Sequence, residues 1–168
     1  MPAFEAVEIT DEYAFATWRN LLIVVLRPGV PEAFARVSDI QERMRQRYGD
    51  NLVSLTILDG DFAALFSARS RALAREQLAR SSGPTRAMAI VVLRQRLLAS
   101  ATRTTMNALS TVMRLGVAWR TFDALAPACE WLAGYLIPSG TPTELQTIAD
   151  RAFVLPGSAK PRRGRDPE

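Results

Sequence analysis

Two carboxylates bracket a glycine in Leu58-Asp59-Gly60-Asp61-Phe62, at the end of an apolar run and ahead of a helical pattern. That spacing admits three kinds of chemistry. Asp59 and Asp61 would hold Mg²⁺ between them, or Asp59 would accept a phosphoryl group. Alternatively Asp59 and Gly60 make the turn and Asp61 caps the helix that follows. The turn-and-cap reading is preferred.

Asp59 as a phosphoryl acceptor resembles the arrangement in response-regulator receivers, and that resemblance also implies a lysine and a second acidic pair at other strand ends. The only lysine, Lys160, lies near the C-terminus, so that option fails. Other catalytic kits fail on residue type. The chain has no histidine, which removes Ser-His-Asp and Cys-His catalysis and the common zinc sites. Neither a GxxxxGK[ST] nor a GxGxxG pattern is present. The single cysteine, Cys129, falls on the apolar stripe of a helical pattern and reads as a small core hydrophobe. Residues 94–114 carry Ser100, Thr102, Thr104, Thr105, Ser110 and Thr111 near Arg94, Arg96 and Arg103. They would make a polar binding face, or simply a solvated helix face. Arg69, Arg71, Arg75 and Arg80 pose the same alternative, an anion site or a solvated face. No cofactor or metal is expected, and the chain is not read as an enzyme.

Charge narrows the partners. Residues 156–168 hold Lys160, Arg162, Arg163 and Arg165 against Asp166 and Glu168. The remainder carries 17 basic and 15 acidic side chains, so the body is close to neutral. A nucleic-acid binder concentrates positive charge on one folded face, so no specific nucleic-acid partner is expected. The acidic start "MPAFEAVEITDEYAF" does not read as a secretory leader. "LLIVVL" is far too short to span a bilayer. A lone cysteine fits a reducing compartment, and a soluble cytoplasmic protein is the expectation.

The elements that would position these residues follow from periodicity. "EAVEIT", 5–10, alternates like a half-buried strand. Leu21 to Leu26 is a continuous aliphatic run, the pattern of a strand buried on both faces. Pro31 opens a helix whose Phe34, Val37, Ile40 or Gln41, Met44 and Tyr48 recur every three or four residues. Gly49 ends it. Strands at 52–58, 86–93 and 117–122 alternate with helices at about 62–80, 95–114 and 124–136, the last with Asp123 as N-cap. Leu125, Cys129, Leu132 and Leu136 would be its buried side. Trp18 follows a strand pair placed at a sheet edge, and an exposed edge would recruit a partner strand or pair with a second copy. This order predicts an α/β fold, a single mixed sheet with an antiparallel opening strand pair, then parallel βα units with helices packed on the sheet.

Three stretches carry a family resemblance: "NLLIVVLRPGVPEAF", the pair "YGDNLVSLTIL" and "RAMAIVVL", and "WRTFDALAPACEWL". Together the run from about 5 to 137 resembles the STAS-like domains of anti-sigma-factor antagonists, in particular divergent myxobacterial STAS-like proteins of unknown function. Members that act as phospho-switches carry a serine or threonine beside an Asp and a Gly at the helix after a central strand. The matching turn here, Asp59-Gly60-Asp61, has no hydroxyl, and Ser67 and Ser70 lie further inside the helix. The phosphorylation site is left open.

The resemblance implies a non-catalytic protein-interaction module in bacterial regulation, with a protein partner and a homodimer as expected assemblies. Asp59, Gly60 and Asp61 are its candidate partner-binding residues. The alternative is a carrier or sensor of a small apolar ligand or lipid between sheet and helices. The expected organisation is a STAS-like domain over 1–137, a loop and short helix over 138–155, and a disordered basic tail over 156–168.

Overall fold

A computed structural model of the chain describes residues 3–27, 31–60, 85–93 and 118–156. Its frame is one six-stranded sheet in sequential order: β1 (Glu5–Ile9), β2 (Tyr13–Trp18), β3 (Leu21–Leu26), β4 (Val53–Asp59), β5 (Ala87–Leu93) and β6 (Ala118–Phe122). The first three strands form an antiparallel meander, and β3, β4, β5 and β6 run parallel. The α/β mixed-sheet expectation holds, with one strand more than the sequence pattern suggested. Tyr13–Trp18 sends Ala14, Ala16 and Trp18 into one core and Tyr13 and Phe15 toward the other, so it buries both faces and leaves no clean polar alternation to read.

β3 shows how the sheet makes two cores. Each of its six residues is buried, and the pleat sends alternate side chains to opposite faces. Leu21, Ile23 and Val25 join one cluster; Leu22, Val24 and Leu26 join the other. Helix α1 (Pro31–Tyr48) covers the second face with Val37, Ile40, Met44 and Tyr48. Gly49 follows it at φ 58, a left-handed conformation that favours glycine, and the chain passes through a short 3₁₀ turn, Gly49–Asn51, into β4.

The first face is covered by α2 (Leu125–Ala133) and α3 (Pro142–Phe153). Cys129, Leu132 and Leu136 are buried as the spacing predicts, and Leu125 packs at the margin. The N-cap of α2 is Ala124, not Asp123, and no side chain caps the helix there. The chain thus enters the helix one residue later than the Asp-led pattern suggested, and burial of the α2 stripe sets its start. Helix α3 buries Leu145, Ala149 and Ala152 in the same core as α2. It begins with a capping box: Thr141 Oγ1 accepts the Glu144 N–H and the Glu144 carboxylate accepts the Thr141 N–H, with Pro142 at the first turn.

The patterned segments at about 62–80 and 95–114, and the tail from residue 157 onward, lie outside the described residues. So do Asp61, Ser67, Ser70, the hydroxyl-rich run and Arg69, Arg71, Arg75 and Arg80.

Candidate functional site

Asp59 closes β4 and Gly60 follows at φ 140, a conformation that side chains other than hydrogen rarely accept. Asp59 is only 8% exposed. Its Oδ2 lies 3.8 Å from Arg27 Nε, just past the end of the neighbouring parallel strand. Arg27 is itself anchored: its backbone N–H donates to Glu12 O at 2.7 Å and its side chain donates to Asp11 O at 3.1 Å. The pair therefore ties the end of β4 to the β1–β2 turn. Of the predicted trio, the structure places Asp59 and Gly60 in this staple, and Asp61 lies outside the described residues. Asp59 is inward-facing, which gives it a structural task.

No group of three or more His, Cys, Asp or Glu side chains is close enough to hold a metal ion among the described residues. Cys129 is buried in the core, and burial, with the nearby Asp150 charge second, pushes its thiol up to about 12. At neutral pH it is a thiol, and a poor nucleophile.

The opening strand pair does lie at a sheet edge, which β1 forms, and Trp18 closes its inner strand, β2. Trp18 is buried and lies under Arg19, whose guanidinium sits 4.2 Å from the ring centroid. Arg19 takes φ 55 in the two-residue turn between β2 and β3 and donates to Pro138 O and Ser139 O, both at 2.9 Å. Gly140 packs so closely that an added Cβ would stand 2.8 Å from the Arg19 guanidinium. Asn20, fully buried, donates to Asn51 O and Tyr135 O, while its Oδ1 accepts the Ile137 N–H. This turn is a hub that fixes the segment after α2 and the start of α3.

The open feature lies at the other side of the sheet. Among the described residues, β6 has a strand neighbour on one side only. Between it and α2 runs a groove of about 570 Å³, lined by Arg120, Thr121, Phe122, Pro127, Glu130 and Trp131. Phe122, Trp131 and Tyr135 form a half-buried row, with ring centroids 5.9 Å and 5.1 Å apart. Arg120 stands over the Phe122 ring at 6.0 Å and is exposed at the middle of the strand. Thr121 Oγ1 is buried with no hydrogen-bond partner among the described residues.

This groove sets an aromatic wall and one cation beside a backbone edge. Such a set can hold an extended chain by main-chain hydrogen bonds and side-chain packing. It contains no nucleophile-and-base pair. Sequence reasoning singled out neither Arg120 nor the aromatic row as a site; the signal available was a lone arginine within the short apolar run "VAWRTF". No family model, curated protein or solved structure matches the chain.

Proposed function

We propose that this chain is a non-catalytic protein-interaction module of the STAS-like kind, serving a bacterial regulatory system, and that it engages its partner along β6 and the groove beside α2. The observation that carries the reading is the β6 edge itself. All five of its residues pair in unbroken register with β5, and among the described residues no strand pairs with its outer side, which presents a regular row of main-chain groups.

The opposite edge is guarded. In β1 the register shifts between Ala6 and Glu8, and Glu8 is already engaged by the Tyr13 hydroxyl at 2.7 Å and by Arg36 at 3.2 Å. Bulges and charges of this kind blunt an edge against pairing. A homodimer through β6 is disfavoured by charge. Antiparallel self-pairing centred on Arg120 would bring two guanidinium groups together, and like charges opposite each other in a sheet are destabilising.

The test is affinity purification of the full chain from its native cells, read by mass spectrometry for proteins and small molecules. A recurrent protein partner is the expected result. A co-purifying lipid or metabolite with no protein would contradict the reading and favour a carrier.

A further inference from the structure

We infer that the partner binds as an extended strand added to β6, with a carboxylate set against Arg120 and an apolar side chain two positions away set against Phe122 and Trp131. This inference rests on the interaction reading and specifies its ligand class.

The pleat makes the pattern. Ala118 and Phe122 pack toward the α2 face and Trp119 toward the α1 face. Arg120, between Ala118 and Phe122, therefore projects on the α2 side, where Glu130 and Trp131 line the groove with it. A strand paired with β6 shares that pleat, so every second side chain lands in the groove. Its neighbours there are, in order, a small residue, a cation and an aromatic wall. Arg120 is exposed and makes no ion pair among the described residues, so an incoming carboxylate can reach its guanidinium.

The same groove argues against other occupants. A polyanion needs a run of cations, whereas here Glu130 borders the groove and Asp123 stands exposed just beyond β6. A single acid is accepted at Arg120 and a second is repelled at Glu130. A second copy of the chain brings arginine against arginine.

The experiment screens the full chain against a display library of short unstructured peptides, then maps the selected binders by backbone amide shifts. The expected result is a shared acid–any–apolar pattern, with shifts confined to β6 and α2. Arg120→Glu, which alters only an exposed position, should weaken these peptides about tenfold, ~1.4 kcal/mol. Exchanging the peptide acid for lysine should restore binding to that variant. Peptides that bind at β6 without an acid, or that bind Arg120→Glu equally well, overturn this inference and leave the interaction reading standing. An empty selection, or binders that map away from β6, overturns both.

Discussion

The buried Asn20 Oδ1 accepts the Ile137 backbone N–H at 2.8 Å, across more than a hundred residues of sequence. The same side chain donates to Asn51 O at 2.6 Å and to Tyr135 O at 3.2 Å. One amide thus joins the β2–β3 turn, the entrance to β4 and the exit from α2. Removing it leaves three part-buried main-chain groups without this partner, and each costs free energy when unpaired. Asn20→Ala should lower stability by about 3 kcal/mol. In urea titrations the midpoint should fall with an unchanged slope.

The Arg27–Asp59 pair makes a different prediction. Arg27 has about a third of its side chain in solvent (36%) against 8% for Asp59, so water screens the pair. Asp59→Asn should cost about 1 kcal/mol, and the difference from the parent chain should shrink as salt is added. Partner binding at β6 should be unchanged, because β5 stands between Asp59 on β4 and the β6 edge. Weakened binding at full stability would return Asp59 to the interaction surface.

Glu144 gives a pH signature. Its carboxyl is held below the ordinary glutamate value, first by the Thr141 N–H it accepts and then by the Thr141 hydroxyl, with the Arg19 charge adding to this. A depressed folded pKa stabilises the fold above the unfolded value, and that stabilisation is lost as pH falls through the folded one. The docking of α3 should therefore loosen on acidification through and below the usual carboxylate range. Glu144→Gln should flatten that acid limb. Thr141→Ala should cost about 1 kcal/mol at neutral pH, through the lost cap.

Cys129 acts in the opposite pH range. Its thiol is raised to about 12 by burial, against roughly 8.5 in an unfolded chain. A raised folded pKa means the stabilisation is complete below the unfolded value and is lost as pH rises toward the folded one. Alkaline titration of stability should show a decline that Cys129→Ala lacks. A thiol reagent at neutral pH should label the native chain far more slowly than the urea-unfolded one.

The sheet was legible because its central strands are unusual in sequence. A six-residue aliphatic run such as Leu21–Leu26 has few other places to go than a doubly covered strand. Strand β2 was harder, because Ala14 and Ala16 are weak strand formers buried by their neighbours rather than by their own preference. Helix α3 carried a signal that length alone did not use, the Thr141-Pro142-Thr143-Glu144 capping box. Asp123 misled because cap propensity is local, whereas the packing of Cys129 and Leu132 sets where α2 begins. The groove at β6 was hidden because an edge is a property of the finished sheet. No residue in "AWRTF" says which strand will be last.

No helix among the described residues is long and apolar enough to cross a membrane.

The most direct test of the central claim places a photo-crosslinking residue at position 120 on β6, or at position 5 on β1, in the full chain within its native cells. The account predicts a discrete crosslinked protein from position 120 and none from position 5. Crosslinks from position 5 alone, or equal yields from both, would contradict the assignment of β6 as the partner-binding edge.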